Sequence, residues 1–265
     1  MEIPDFGTIL CAIDLSEHSK AALYMAAGLA NRRGSKLIVL HAESGDSPDT
    51  QAAVSDFVFE TLPGWFAYRN DTETILRQAH AASAIVDTAR HVHAELVVMG
   101  TRGRGAIGRA LLGSTAADVL RHASVPVMVV PPTDLEIVSL DQAGSRPHLG
   151  IVLVPVDLQT PSAPQLAWAG RMSVGSDHHL LMLHVVPKDS DPGHATERMR
   201  ALGKSVASAH GFRLLVNEGN VADQICKVIQ HDGIRFVVLG RSASAPGKLA
   251  YRILQDTHAV VVMVP

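Results

Sequence analysis

The chain has 265 residues, of which 47% are hydrophobic, 18% charged and only 4% aromatic. This composition is typical of a globular protein with one large or two ordinary domains, and it excludes a disordered chain. The formal net charge of −3 and the scarcity of aromatic residues argue against nucleic-acid binding. No apolar run reaches the length of a membrane span, and the N-terminus carries no basic leader, so we expect a cytoplasmic protein without a membrane partner.

The first half alternates apolar runs that predict strands with alanine-rich segments that predict helices. Ser16 is expected to cap the first helix, Gly34 to end it, and Pro126 to mark an edge or the start of the last strand. Strands are predicted at Thr8–Ile13, Lys36–Ala42, Trp65–Tyr68, Leu96–Met99 and Val125–Val130, and helices at Ser16–Gly34, Asp49–Leu62, Ala79–His93 and Ala116–His122. This alternation indicates an α/β fold with a parallel sheet and helices on both faces.

The same plan recurs in the second half. An apolar run at Ile151–Val156 ends in Asp157, and Thr160-Pro161 predicts a helix start with proline at the first helical position. Asp14 precedes His41 by 27 residues, just as Asp157 precedes His184. Such a repeat predicts two tandem copies of one domain, residues 1–131 and 150–265, joined by a linker at 132–149.

A glycine-rich loop follows the Leu96–Met99 strand and distinguishes the two halves. Gly113 and Ser114 open the next helix, whose N-terminus attracts anions, and Arg102, Arg104 and Arg109 add positive charge. The loop therefore predicts a phosphate site. In the second half, Gly240 lies 25 residues before the final proline, whereas Gly100 lies 31 residues before Pro131. The shortened loop predicts one nucleotide per chain, bound by the first half.

Three glycine patterns compete for this loop. A Walker A motif is excluded because no lysine follows a glycine in the required frame. A dinucleotide fingerprint is present at Gly103–Gly108, but it follows a late strand and lacks the acidic residue about twenty positions on. The third pattern, Gly-x2-Gly-x9-Gly-Ser, is met by Gly100, Gly103, Gly113 and Ser114.

The third pattern resembles the ATP-binding motif of the universal stress protein family, and the two-copy layout is similar to its tandem type. The resemblance covers nearly the whole chain, although in the second half it rests on the scaffold alone. It implies two copies of a five-stranded, helix-flanked parallel sheet, a fold that binds adenine nucleotides in this family, with the nucleotide site expected in the first copy. It also implies that the two halves pair with each other as an intramolecular pseudo-dimer, and leaves open a homodimer of the tandem chain.

The resemblance also assigns roles to residues of the first half. Ala12, Ile13 and Asp14 would face adenine and ribose, and Ala42 would offer its backbone to the adenine edge. The ribose and phosphates would be held by the strand end, the loop and the helix start: Met99, Gly100, Arg102, Gly103, Gly113, Ser114 and Thr115. At Ala116 the chain departs from members that carry threonine, and we expect a loss of about 1 kcal/mol in phosphate binding.

Other polar residues are given structural roles. Asp157 occupies the place of Asp14 without a phosphate loop, and His41 and His184 are interpreted as core residues. The cysteines, Cys11 and Cys226, are expected to be reduced and buried. The fourteen histidines show no convincing metal-ligand spacing.

The sequence thus predicts an ATP-binding stress-response protein that acts as a nucleotide-dependent regulator or binding module. The rival hypothesis is a slow ATPase or phosphotransferase, with Asp14 as a candidate ligand of Mg²⁺. The loop supplies neither a lysine for the γ-phosphate nor a base for water, so we expect at most weak hydrolysis. A third possibility is that the second half binds a different small molecule.

Overall fold

The computed structural model divides the chain into two compact units, referred to below as the first unit and the second unit. The described residues of the first unit are 7–43, 49–67, 72–101 and 112–132. Those of the second unit are 150–159, 162–173, 179–188, 191–206, 212–241 and 248–265. None of the helices within these ranges is long and apolar enough to span a lipid bilayer.

The first unit contains five parallel strands in the order β3-β2-β1-β4-β5. In chain order its elements are β1 (Thr8–Ile13), α1 (Glu17–Arg33), β2 (Lys36–Glu43), α2 (Thr50–Thr61), α3 (Gly64–Ala67), β3 (Thr72–Gln78), α4 (Ala81–His91), β4 (Leu96–Gly100), α5 (Ser114–His122) and β5 (Val127–Val130). Helix α1 packs against β1 and β4, and α4 packs against β2. The predicted α/β class is confirmed in this unit.

The second unit repeats the arrangement with five parallel strands in the order β8-β7-β6-β9-β10. Its elements are β6 (Ile151–Pro155), α6 (Ala163–Ser173), β7 (His179–Val186), α7 (Pro192–Val206), β8 (Phe212–Glu218), α8 (Val221–Asp232), β9 (Phe236–Gly240), α9 (Lys248–Asp256) and β10 (Val260–Val264). The outer strand β8 of the second unit corresponds to the outer strand β3 of the first.

The central strands form because their residues are apolar and often β-branched, as expected for strands covered on both faces. In β1 the five residues from Ile9 to Ile13 are all buried, and β4 is buried along its whole length. Gly34 ends α1 in the left-handed conformation, with φ +63°, and donates its N–H to the carbonyl of Ala30. The predicted C-cap of α1 is therefore confirmed.

Three local predictions are wrong. The segment predicted as a strand at Trp65–Tyr68 begins with the short helix α3, and the strand lies further on at β3, where polar side chains and partial exposure weaken the apolar signal. Helix α6 begins at Ala163, later than the predicted start at Thr160-Pro161. Thr160 and Pro161 themselves lie outside the described residues. Ser16 precedes α1 as predicted, but its side chain makes no capping bond to the helix.

Because all strands of a unit are parallel, their carboxyl ends lie at one edge of the sheet. The strand order reverses direction between β1 and β4 in the first unit, and between β6 and β9 in the second. Open α/β sheets bind ligands at such a switch point, in the crevice beyond the carboxyl ends. These two places are called the first crevice and the second crevice below.

Candidate functional site

Three strand ends form the first crevice. Ile13 is in register with His41 of β2, and Ala12 is in register with Met99 of β4. The predicted residues of these strands therefore lie at one edge of the sheet: Ala12, Ile13, Asp14, Ala42, Met99 and Gly100. Ala12, Ile13 and Met99 are buried, whereas Asp14 and Ala42 are partly exposed. Asp14 thus supplies a carboxylate at the switch point itself.

The carboxylate of Asp14 is held by the start of α1. Its Oδ1 accepts hydrogen bonds from the backbone N–H of Ser16 at 3.2 Å, from the Ser16 hydroxyl at 2.6 Å and from the Ser19 hydroxyl. The same Ser19 oxygen accepts the backbone N–H of Asp14 at 2.9 Å. The Ser16 hydroxyl is committed to Asp14, which is why it does not cap the helix.

A backbone turn makes this network possible. Leu15, between Asp14 and Ser16, has φ +62°, a left-handed conformation that costs a residue with a Cβ about 1–2 kcal/mol. The turn brings the Ser16 N–H back onto the aspartate side chain. Strain of this kind persists where surrounding bonds over-determine the backbone, and here three donors on one oxygen do so.

His41 joins the ends of β1 and β2. It is 3% exposed, and its Nδ1 lies 3.0 Å from the carbonyl oxygen of Ile13. A carbonyl oxygen only accepts, so Nδ1 carries the hydrogen. Nε2 lies 3.7 Å from Oε2 of Glu43, whose other oxygen accepts the Thr50 hydroxyl at 2.5 Å. His41 is therefore a core residue that fixes the sheet edge.

Gly100 has a packing role at the end of β4. A Cβ at this position would lie 2.9 Å from the backbone oxygen of His18 and 3.2 Å from its carbonyl carbon, both in the first turn of α1. Backbone atoms move at a high cost, so only glycine lets α1 approach β4 this closely. The predicted contact of Gly100 with a nucleotide stays a prediction, but the packing alone accounts for the glycine.

Helix α5 begins at the same edge. Gly113 is its N-cap residue, its carbonyl accepts the N–H of Ala117 at 3.0 Å, and as a glycine it has no side chain to cap the helix. The N–H groups of Ser114, Thr115 and Ala116 therefore precede the first intrahelical bond, as an anion site requires. The N–H of Gly113 itself donates to the carbonyl of Thr101 at 2.8 Å, closing the base of the loop. Gly113 is thus committed to the loop in this structure, and Arg102, Gly103, Arg104 and Arg109 lie outside the described residues.

The second crevice is arranged differently. Asp157 is exposed, and its Oδ1 accepts the N–H of Gln159 at 2.9 Å. Ser162, five residues later as Ser19 is after Asp14, donates to the backbone carbonyl of Asp157 at 3.0 Å. Nη2 of Arg198 in α7 donates to the carbonyl of Leu158 at 2.6 Å. The turn after β6 is therefore tied to α7, and its carboxylate points to its own backbone.

A glutamine side chain lies across the second switch point. Gln165 of α6 is 6% exposed, and its Nε2 lies 3.4 Å from the carbonyl of Pro155 at the end of β6. A Cβ on Gly240, at the end of β9, would lie 2.3 Å from Gln165 Oε1. At the equivalent place, eight residues after its aspartate, the first unit has Ala22. The two units thus differ in what fills the space between their central strands.

Some features of the first repeat persist in the second. His184 places Nδ1 2.7 Å from the carbonyl of Val156, as His41 does with Ile13. The spacing between the glycine and the following helix does not persist. Helix α5 begins fourteen residues after Gly100, whereas α9 begins eight residues after Gly240. The strand ends are conserved within the chain, and the anion loop is not.

Neither cysteine is suited to nucleophilic chemistry. Cys11 is 0% exposed, and burial raises the pKa of its thiol far above the ordinary range. Burial also raises the pKa of Cys226, with a further contribution from the Asp256 carboxylate. Within the ranges that the structure describes, no group of three or more His, Cys, Asp or Glu side chains is placed to hold a metal ion.

Sequence reasoning assigned no role to Ser19 or Gln165. The signal for Ser19 was available, because serine follows the strand-end aspartate by five residues in both halves. Nothing in the sequence marks Gln165, since a glutamine in the first turn of a helix is normally exposed.

Comparisons of the sequence and of the fold with known proteins identify one family of relatives. The model of the universal stress protein family matches residues 5–131. A universal stress protein of Thermus aquaticus is 33% identical over 138 residues, which cover 47% of this chain and 98% of the relative. One from Synechocystis is 33% identical over 48% of this chain and 86% of its own length. The crystal structure of a universal stress protein from Archaeoglobus fulgidus covers 97% of both chains with a TM-score of 0.69 and 18% identity, which establishes the shared fold.

Proposed function

The chain belongs to the universal stress protein family, and from this premise we propose that its first crevice binds one adenine nucleotide, with ATP as the expected ligand. Occupancy of this crevice by the nucleotide would change the affinity of the protein for a partner in a stress response. The second unit would then serve as scaffold. We propose a nucleotide-dependent regulator and not an enzyme.

The observation that carries the proposal is the combination at the first switch point of a held carboxylate and a helix start whose N-cap residue is glycine. Asp14 accepts from three donors through Oδ1, and α5 begins after Gly113 at the same sheet edge. A carboxylate suits ribose hydroxyls, and the N–H groups of a helix start suit a phosphate. The two groups match the ribose and the phosphates of a nucleotide.

The phosphates are expected to bind at the start of α5. Ser114 is exposed and Thr115 partly exposed, and the N–H groups of both precede the first intrahelical bond. The macrodipole of the helix favours an anion there by about 0.3–1 kcal/mol. Since the Gly113 N–H already donates to Thr101, we expect Ser114 and Thr115 to provide the main backbone contacts.

Titration calorimetry of the full chain with ATP, ADP and AMP tests the proposal. We expect one site per chain, with affinity rising with the number of phosphates. Asp14→Ala should weaken ATP binding by tenfold or more, the value of a hydrogen bond to a charged group, about 1.5–3 kcal/mol. The matched control is Asp157→Ala, which should bind ATP as the parent chain does.

Three outcomes would overturn the proposal. These are the absence of binding by all three nucleotides, two equivalent sites per chain, or a larger loss of affinity in Asp157→Ala than in Asp14→Ala. Rapid release of phosphate from ATP that depends on Asp14 would instead favour the ATPase.

A further inference from the structure

The Ser19 hydroxyl forms hydrogen bonds with both the backbone and the side chain of Asp14. Ser19 Oγ accepts the Asp14 N–H at 2.9 Å, and its own hydrogen is donated to Asp14 Oδ1. With the backbone and the carboxylate held by the same oxygen atom, rotation about the Cα–Cβ bond of Asp14 would break one of the two bonds. Ser19 therefore fixes the rotamer of Asp14.

Ser19 is itself held in place. It is 3% exposed, it is the third residue of α1, and its N–H donates to the carbonyl of Ser16 at 2.9 Å. Ser16 is the other residue that donates to Oδ1. The aspartate is thus held by Ser16 just before α1 and by the buried Ser19 in the first turn of this helix, which packs on the sheet.

The second unit shows that this grip is not a requirement of the fold. Ser162 is also buried and also follows its aspartate by five residues, yet its hydroxyl donates to the backbone carbonyl of Asp157. Asp157 is exposed, and its Oδ1 accepts the backbone N–H of Gln159. With the same spacing, the serine hydroxyl thus donates to the carboxylate in the first unit and to the backbone carbonyl in the second.

We infer that Ser19 is a positioning residue for nucleotide binding: by holding Asp14 in a single rotamer before the ligand arrives, it removes the ordering cost from the binding step. This inference rests on the proposed function. Ser19 does not touch the nucleotide, and its effect on affinity is transmitted through the Asp14 carboxylate. Without the Ser19 hydroxyl, the Asp14 side chain would have to be ordered when the nucleotide binds, and the cost of ordering one side chain lowers the affinity about fivefold.

The test compares Ser19→Ala, Ser19→Thr and Ser162→Ala by ATP titration and urea unfolding, with crystal structures of the parent and of Ser19→Ala. We expect Ser19→Ala to bind ATP about fivefold more weakly, and Ser19→Thr to stay within about twofold of the parent because it keeps the hydroxyl. Ser162→Ala removes a buried hydroxyl at the same place of the other unit and should not change affinity. In Ser19→Ala the Asp14 side chain should occupy more than one rotamer.

Parent affinity in Ser19→Ala would overturn the inference, and so would a weaker affinity with the Asp14 rotamer unchanged. An equal loss in Ser162→Ala would show that the effect is general destabilisation. If Ser19→Ala does not fold, Ser19→Cys, which has nearly the same volume and a weak donor, replaces it with the same expectations. A parent chain that binds no nucleotide would contradict the proposed function itself, and this result is seen before any variant is made.

Discussion

The two crevices begin with the same pattern, a strand-end aspartate, a serine five residues later and a buried-strand histidine 27 residues on, yet they end as different environments. In the first, Asp14 is held by two serines, and alanine (Ala22) stands at the place of Gln165. In the second, the Asp157 carboxylate is turned to Gln159, and Gln165 lies across Gly240. The difference teaches that a repeat preserves strand pairing while its crevice is changed by a few side chains.

The retained and altered contacts fall into separate groups. Both histidines bond a carbonyl at the end of the neighbouring strand, which keeps the central strands in register. The contacts that differ come from the first turns of α1 and α6, which do not set the register. The contacts at a crevice can therefore differ between the two repeats while the sheet stays the same, in line with the general separation of site and fold.

The largest expected difference between the units is protection of their thiols by ATP. The chain has one cysteine in each unit, Cys11 in β1 and Cys226 in α8, and burial raises the pKa of both. Since the thiolate is the reactive form, labelling by a maleimide requires local or global opening. At an ATP concentration 100 times the dissociation constant, Cys11 labelling should slow by up to about 100-fold, equal to about 2.7 kcal/mol. Mass spectrometry of the labelled peptides measures each rate.

Cys226 is the internal control for this measurement. Its labelling rate should change by less than about twofold if the nucleotide binds the first unit alone. Because both folded thiols have raised pKa values, the unfolded chain ionises first, and both rates should increase as the pH passes the ordinary thiol value of about 8.5. Equal protection of both thiols by ATP would contradict a site confined to the first crevice.

A second comparison concerns the glycines at the ends of β4 and β9. Gly100→Ala forces a Cβ against the His18 backbone at 2.9 Å, so the helix or the strand must shift, and we expect a loss of about 1–3 kcal/mol in the free energy of unfolding. Gly240→Ala meets the end of the Gln165 side chain, which can rotate away, and should cost less than about 1 kcal/mol. Urea unfolding followed by circular dichroism gives both values. An equal or reversed pair of losses would show that Gly100 is not needed for the packing of α1.

Much of the fold could be predicted from the sequence because buried parallel strands carry a strong apolar signal. The boundaries of β1 were predicted to the residue, and Gly34 ended α1 where expected. The outer strand β3 was missed because its Thr, Glu, Arg and Gln residues do not alternate clearly with apolar ones. The short apolar run at Trp65–Tyr68 predicts a strand instead, although apolar runs of this length do not distinguish a strand from a helix.

Less of the site could be predicted, for a different reason. The position of Asp14 followed from the end of a strand, and the start of α5 from the Gly113-Ser114 step. The hydrogen bond from the Gly113 N–H to the Thr101 carbonyl and the packing of Gly100 against the His18 backbone could not be predicted, because they depend on which atoms meet after folding. Glycine in a sequence does not tell whether a ligand or the protein's own backbone needs the space. The position of Gln165 against Gly240 could not be predicted either, because it too depends on contacts that form only in the folded chain.

A third prediction uses opposite effects on stability and binding at the start of α5. Ser114→Asp places a negative charge at the positive end of the helix and should stabilise the chain by about 0.3–1 kcal/mol. The same charge repels a triphosphate, so the affinity for ATP should fall about tenfold, or about 1.4 kcal/mol, and the loss should shrink as salt is added. Titration calorimetry at two salt concentrations and urea unfolding measure the two effects.

The control for Ser114→Asp is Lys248→Asp at the exposed first residue of α9. It also adds an acidic residue at a helix start and should stabilise the chain to a similar extent, but leave ATP affinity unchanged. Weaker ATP binding in Lys248→Asp by the same factor would show that net charge, and not the position at α5, controls affinity.

The smallest effect is expected from Leu15→Gly, which tests whether the strained backbone of Leu15 contributes to nucleotide binding. Leu15 has φ +62°, and glycine adopts this conformation without a steric penalty, although it loses more entropy on folding and gives up the contacts of a half-buried leucine. These terms nearly cancel, so Leu15→Gly should change the free energy of unfolding by less than about 1 kcal/mol in either direction. ATP affinity should stay within about twofold, because the Ser16 and Ser19 donors to Asp14 are untouched. A tenfold loss of affinity at unchanged stability would mean that the Leu15 side chain, and not the turn it forms, contributes to the site.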